Sequence, residues 1–255
     1  MAARLLLIED DASIARFIEL ALEELPGYDA AAPAVQLSVV GTLADARAAL
    51  AGGGWQLVIS DLMLPDGSAE ALLAEGLALA DGAPPWVVFS AGVHDDRHLA
   101  LAARGVARTL RKPVPLAELL GTIGELLRGG EAAPVSAVVD AAVVDPVQQH
   151  FGGDRALFDS FRAGCIERFA DDLAQGDAAL ATGDAAALRR VAHGLKAVLE
   201  LIGHPGLAAE ARALEDVAGT GGTAGAAGEA GAAAQAAGWA ALARGLIDLG
   251  ARRPA

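Results

Sequence analysis

The sequence predicts a protein in two parts, an α/β half built on a parallel sheet and an all-helical half. Three observations carry that reading. Over residues 4–128 short apolar runs alternate with segments of helical spacing, the pattern of strands joined by helical crossovers. Several runs, such as WVVF at 86–89, are apolar without alternation, as expected of strands buried on both faces. From about residue 143 onward the strand-like runs stop and only the helical period continues.

Taken in order, RLLLI (4–8) is the first strand. Residues 13–25 form a helix with Ile14, Phe17, Ile18, Ala21, Leu22 and Leu25 on one side. VQLSVV (35–40) is the second strand and LADARAAL (43–50) the second helix. WQLVIS (55–60) is the third strand and runs into Asp61, with a helix around 68–80. WVVF (86–89) is the fourth, followed by a helix near 95–103. ARTLR (107–111) is a weaker fifth strand, and 115–127 is a fifth helix. Its Pro115 lies near the first turn, where a missing N–H costs nothing.

Residues 129–141, GGEAAPVSAVVDA, show no period and read as a linker. Helical patterns then cover 155–175, 184–202, 205–217 and 239–249, which predicts an antiparallel bundle. Residues 219–238 are nearly all Gly and Ala and are expected to be a long loose loop with a helical patch of Ala-rich sequence at most, a tolerated insertion without function. The expected domains are therefore 1–128, a linker at 129–141, and a four-helix bundle over 142–255. Trp55, Trp86 and Trp239 are expected to anchor the cores.

Composition excludes several classes. Hydrophobic residues make up 54% of the chain, but much of that is alanine, and no uncharged apolar stretch approaches a membrane span. The apolar run near the N-terminus is too short for a signal peptide, so a soluble, cytoplasmic protein with no membrane partner is expected. The net charge is −14 and the Arg and Lys residues are scattered, which argues against nucleic acid as a partner. The lone Cys165 rules out an internal disulfide.

The residues after the strands are polar in a specific way. Glu9, Asp10 and Asp11 follow the first strand, Asp61 the third, Ser90 the fourth, and Lys112-Pro113 the fifth. A parallel sheet brings these ends to one edge, where ligand chemistry gathers. Converging carboxylates need a cation, and hard oxygen ligands with open positions suit Mg²⁺. Asp61 is then a nucleophile able to hold a phosphoryl group as a mixed anhydride. Lys112 and Ser90 would stabilise the phosphoryl oxygens. Neither a P-loop nor a GxGxxG appears, so nucleotide binding is not indicated.

In LLLIEDD, SDLMLPDG, FSAG and RKP, in that order, residues 4–128 resemble a response-regulator receiver domain. The resemblance implies a flavodoxin-like fold, a doubly wound five-stranded parallel sheet with five helices. It implies that Glu9 and Asp10 are the acidic pair, with Asp10 a direct Mg²⁺ ligand. Asp61 becomes the phosphoacceptor, Met63 offers a backbone carbonyl to the metal, and Ser90 and Lys112 take the family's hydroxyl and lysine positions. Asp11 is left to face solvent or cap a helix. Thr109 stands where receivers that switch shape usually carry an aromatic ring.

The stretch AHGLKAVLELIG (192–203) carries a second candidate. At about 100° per residue, Leu188, Val191, Leu195, Leu199 and Ile202 form a core stripe. Arg189, Arg190, His193, Lys196, Ala197 and Glu200 fall opposite, so His193 is expected to face solvent with Lys196 one turn away. Imidazole is a neutral nucleophile near pH 7. Lys196, with Arg189 or Arg190, is placed to pair with an incoming phosphoryl group, and the small Ala197 leaves room for a partner. A metal site would need more ligands than HxxK supplies. With FGGDRALFDSFRAGCIERF before it, the stretch resembles the histidine-phosphotransfer (HPt) domain and its HxLKG motif, with Ala197 in place of the Gly. The resemblance implies that His193 carries the phosphoryl group and that Lys196 assists.

The two resemblances together imply a two-component phosphorelay protein, not a conventional turnover enzyme. Asp61 would accept a phosphoryl group with Mg²⁺, and His193 would carry one to or from a receiver aspartate. The expected partners are a sensor histidine kinase and another receiver domain. The rival readings are a non-catalytic adaptor, and a phosphate sink in which Asp61 turns over while His193 is silent.

Overall fold

The computed structural model describes residues 2–90, 95–129, 145–220 and 226–252, and their side chains except those of 90, 95, 96, 220 and 226–228. In chain order the elements are β1 (Ala3–Ile8), α1 (Ala12–Tyr28), β2 (Val35–Val40), α2 (Leu43–Ala51), β3 (Leu57–Asp61), β4 (Met63–Leu64), β5 (Gly67–Ser68) and α3 (Glu70–Ala74). They continue with β6 (Trp86–Ser90), α4 (Asp95–Ala102), β7 (Val106–Arg111), α5 (Leu116–Leu127) and α6 (Pro146–Phe151). The remaining helices are α7 (Arg155–Thr182), α8 (Ala185–Leu201), α9 (Pro205–Thr220) and α10 (Ala226–Asp248). The chain divides into two compact units, Met1–Asp154 and Arg155–Ala255.

The first unit holds a five-stranded sheet in the order β2-β1-β3-β6-β7, parallel at every pairing. With the short β4-β5 ribbon set aside, this is the doubly wound 2-1-3-4-5 arrangement of flavodoxin-like folds. Successive side chains of a strand point to opposite faces. Leu6, Ile8, Val58, Trp86, Val88 and Val106 pack in one cluster with Leu43, Leu72 and Leu101 from α2, α3 and α4. Leu5, Leu7, Leu57, Ile59, Val87 and Phe89 alternate with them and are equally buried. Both faces are covered, which is why these strands read as unbroken apolar runs.

Two local features depart from the expected elements. An antiparallel β4-β5 ribbon precedes the helix expected over 68–80, of which only the five residues of α3 form. Gly67 (φ 144°) and Gly76 (φ 78°) hold backbone angles that a helix does not use. The six-residue α6 has clear local signals: Asp145 accepts a hydrogen bond from the Val147 N–H, Pro146 stands in the first turn, and Gly152 closes the helix in the left-handed region. Within the first unit its Phe151 meets Phe17 of α1 edge to face, 5.6 Å between centroids. Of the expected linker at 129–141, residues 130–141 lie outside the described residues.

In the second unit, α7, α8, α9 and α10 are each packed against two of the others, so that the four close a bundle. Phe161, Cys165, Phe169, Leu195, Leu199, Leu214, Trp239 and Leu242 are buried. Gly176 of α7 lies under Trp239, where a Cβ would come within 2.1 Å of the indole. The Trp239 Nε1–H donates to Asp177 (2.8 Å). The Gly/Ala stretch at 219–238, of which 221–225 lie outside the described residues, is helical over more of its length than the expected loop with its helical patch. α9 runs to Thr220, and α10 begins at Ala226 and includes 226–238. Alanine has the highest helix propensity of all residues, and that outweighs the scattered glycines. No helix among the described residues is long and apolar enough to cross a membrane.

Candidate functional site

The carboxyl ends of β1, β3 and β7 bring Glu9, Asp61 and Lys112 together, residues up to 103 positions apart in sequence. The Lys112 Nζ donates to Glu9 Oε2 (2.7 Å) and to Asp61 Oδ2 (2.8 Å). Asp61 Oδ1 accepts from the backbone N–H of Leu62 (2.5 Å) and of Met63 (3.4 Å). Asp61 and Glu9 are each only 3% exposed, whereas Asp10 stands open to solvent. One oxygen from each of Glu9, Asp10 and Asp61 lies within 4.8 Å of the others. Asp11 does not join them. It caps α1, accepting from the Ser13 and Ile14 N–H groups. The Lys112-Pro113 peptide is cis.

The electrostatics of this edge are unbalanced. Burial works against the Lys112 charge, but Asp61 and Glu9 outweigh it and hold the ammonium proton firmly. Burial pushes the Glu9 carboxyl up to about 8, against the pull of Lys112. Burial also raises the Asp10 carboxyl, and the nearby Asp61 and Asp11 charges add to that. Three carboxylates around one ammonium leave two negative charges uncompensated when all are ionised. A hard divalent cation matches both that deficit and the all-oxygen donor set. The residues present therefore fit Mg²⁺, with Asp10 on the open side. Ser90 ends β6 opposite Arg111, and its side chain lies outside the described residues. Thr109 is half-buried on β7 opposite Val88.

The histidine of the second unit is less open than its helical position suggests. His193 is 14% exposed at the side chain, Lys196 is buried, and Ala197 is 4% exposed. This corrects the expected solvent face, and it corrects Ala197 as room for a partner. The wheel identified one apolar stripe, but α8 is packed on a second flank by α9. That flank covers Lys196, through Glu215.

The partner that makes this burial tolerable is Glu215 of α9, which sequence reading missed. Its Oε1 contacts His193 Nδ1 (2.8 Å), and its Oε2 accepts from Lys196 Nζ (2.6 Å). Burial works against the Glu215 charge, but the hydrogen bonds from His193 and Lys196 hold its carboxyl down at about 2. An ionised carboxylate can only accept, so the proton between Glu215 and His193 belongs on Nδ1. The one signal in the sequence was an acid on the apolar stripe of α9, where Ala208, Ala211, Leu214 and Ala218 are buried. Lys196 is thus spent on Glu215 and acts on His193 through it.

No protein-family model matches the chain, and no curated protein does. Among solved structures, the first half is similar to receiver domains. It is 25% identical to the signal receiver domain of a putative LuxO repressor protein from Vibrio parahaemolyticus, over 51% of this chain and 92% of that one, with a TM-score of 0.44. It is 21% identical to a CheY-like response regulator receiver domain protein from Methanospirillum hungatei, over 51% and 96%, with a TM-score of 0.44. It is 20% identical to the receiver domain of a signal transduction histidine kinase from Syntrophus aciditrophicus, over 55% and 99%, with a TM-score of 0.43.

Proposed function

We propose that this chain is a phosphorelay intermediate, with Asp61 as phosphoacceptor and His193 as a second phosphoryl carrier. The observation that carries the reading is the convergence of Glu9, Asp10, Asp61 and Lys112 on one sheet edge. The His193–Glu215–Lys196 cluster supports the second half.

At the first site a carboxylate oxygen of Asp61 attacks the phosphorus of a phosphohistidine or a small phosphodonor. The new O–P bond forms in line as the donor bond breaks, and a leaving imidazole recovers its lone pair. Lys112 steadies the Asp61 carboxylate and faces the incoming oxygens. Mg²⁺ held by Asp10, Asp61 and the Met63 carbonyl would supply charge neutralisation, with Glu9 beside it and Ser90 at the phosphoryl oxygens. At the second site Nε2 of His193 attacks the phosphorus of an aspartyl phosphate, the N–P bond forming as the O–P bond breaks and the carboxylate leaving with the electron pair. Glu215 holds the Nδ1 proton and stabilises the positive ring that forms on phosphorylation. The partners of this reading are a sensor histidine kinase and a further receiver domain, and the chain is a signalling intermediate, not a turnover enzyme.

The test is peptide-level mass spectrometry after incubation with acetyl phosphate, with Mg²⁺ or with chelator, on wild type, Asp61→Ala and His193→Ala. The reading expects Mg²⁺-dependent phosphate on Asp61. Phosphate on His193 that vanishes in Asp61→Ala adds an internal relay. Phosphate on Asp61 with none on His193 from any donor would mean a phosphate sink. No adduct at either site, even with a phosphorylated kinase as donor, would leave a non-catalytic adaptor.

A further inference from the structure

If Lys196 is spent on Glu215, some other group must meet the charge of a phosphoryl group on His193. We infer that Arg189 is that group: its guanidinium, lying over Gly219 one helical turn from His193, binds the phosphoryl oxygens. The inference rests on the phosphohistidine reading above and deepens it.

The α8/α9 groove can be followed contact by contact. Glu200 pairs with Arg212 (3.1 Å). Next, His193 and Lys196 share Glu215. One turn further along, Arg189 lies against Gly219 of α9, where a Cβ would meet its Nε at 3.4 Å and its Cδ and Cζ at 3.7 Å. A Cβ at position 219 would stand in ordinary van der Waals contact with the guanidinium, so the Arg189 side chain is bedded along α9 at Gly219.

Helix geometry points the same way. Residues four apart on a helix share a face, with Cβ atoms about 5–6 Å apart. A helical side chain covers the turn N-terminal to its own Cα, so the His193 imidazole leans toward the turn that carries Arg189, while the longer Arg189 side chain runs sideways onto Gly219. At about 100° per residue, Arg189 and Lys196 fall on the same side of His193, the side facing α9. Arg190 falls on the other side.

The charge accounting leaves Arg189 and Arg190, neither of which makes an ion pair among the described residues, and the placement on Gly219 selects Arg189. Lys196 and Arg212 are engaged with carboxylates, whereas Arg189 is exposed and makes no ion pair among the described residues. Residues 220–228, which follow its glycine bed, contain no acid. A guanidinium donates two parallel N–H bonds to phosphate oxygens, which an ammonium does not.

The test uses the full chain with potassium phosphoramidate as donor and chelator present. His193 phosphorylation is followed by peptide mass spectrometry over a range of donor concentrations in wild type, Arg189→Ala, Arg189→Lys and Arg190→Ala. The expected result is about a 10-fold fall in the second-order rate for Arg189→Ala, smaller than the roughly 10²–10³ for a buried, preorganised donor because Arg189 is exposed, with partial recovery in Arg189→Lys. Arg190→Ala should stay within twofold of wild type, and thermal stability should be unchanged in all three. An Arg189→Ala rate within twofold of wild type would overturn the inference while leaving phosphohistidine chemistry in place. Equal falls in the Arg189 and Arg190 variants would also overturn it, since they would report only the local positive field. No phosphate on wild-type His193, with other histidines modified, would overturn the underlying reading and this inference with it.

Discussion

The two candidate sites solve the same problem with opposite signs. At the sheet edge one ammonium, Lys112, bridges two buried carboxylates, and a third carboxylate stands beside them. In the helical half one carboxylate, Glu215, bridges an ammonium and an imidazole. The first arrangement is short of positive charge, and the second is close to neutral. The first therefore calls for a metal ion, while the second is closed by protein groups alone. In both, a long-range ion pair fixes the orientation of the group proposed to react.

The largest way to break this comparison is to remove the bridging charge on the acidic side. Lys112→Met leaves Glu9 and Asp61 buried without their cation, a change that typically costs about 3–5 kcal/mol. Urea denaturation followed in the first unit should show that loss in chelator, partly recovered by millimolar Mg²⁺. Unchanged stability in chelator would mean that the edge does not depend on Lys112 for neutralisation.

The matching break on the other side is Glu215→Ala. It strands Lys196 in a buried position and should cost about 3 kcal/mol. It should also abolish the preference for a proton on His193 Nδ1, which ¹⁵N chemical shifts of the imidazole report directly. The pH dependence follows from the depressed carboxyl. Glu215 is ionised in the folded protein down to about 2, while in the unfolded chain it takes up a proton near its ordinary 4.5. Its contribution is therefore complete above pH 4.5 and is lost as pH falls through about 2. A Glu215→Gln variant should flatten that part of the acid-denaturation curve.

How far each site was legible in the sequence follows from how it is assembled. The five strands fall within about two residues of their expected places because burial on both faces writes them as apolar runs. Glu9, Asp61 and Lys112 were legible because a parallel sheet delivers its strand ends to one edge whatever the loop lengths between them. Glu215 was not. Its role depends on the register of α9 against α8, and a helical wheel describes one helix at a time. The same limit made His193 and Lys196 look solvent-facing. The α6 helix carried capping signals but was too short to show a period. In the Gly/Ala segment the helical part was underestimated, because the glycines suggested a loop while alanine propensity favoured α10.

A smaller effect sharpens the contrast between paired and unpaired buried groups. His150 of α6 is buried, and its Nδ1 has no hydrogen-bond partner among the described residues. Burial alone pushes its ring down to about 4 from an ordinary 6.5. The unfolded chain takes up this proton near pH 6.5, while the folded chain resists it until about pH 4. The stabilising contribution is complete above pH 6.5 and is lost as pH falls toward 4, about 2 kcal/mol at pH 5. His150→Leu should remove this slope in the first unit and leave that of Glu215 intact. A pH 5 to 7 stability profile that is unchanged by the substitution would show that the proton finds a partner in the folded state.

The smallest expected effect tests α10 away from any charge. Residues 229–237 of this helix are mostly exposed, and only from Trp239 onward does it bury large side chains. A helix segment held by propensity alone is marginal in water, so amide exchange should be fast over 226–237 and slow from 239. Gly231 lies in this exposed part, with open space where a Cβ would stand. Gly231→Ala should then stabilise the bundle by about 0.5–1 kcal/mol, by narrowing the unfolded ensemble and raising helix propensity. If the substitution instead destabilises the bundle, that face of α10 is covered in solution. If exchange at 226–237 is as slow as at 239–248, the exposed turns are held by more than alanine's preference for the helix.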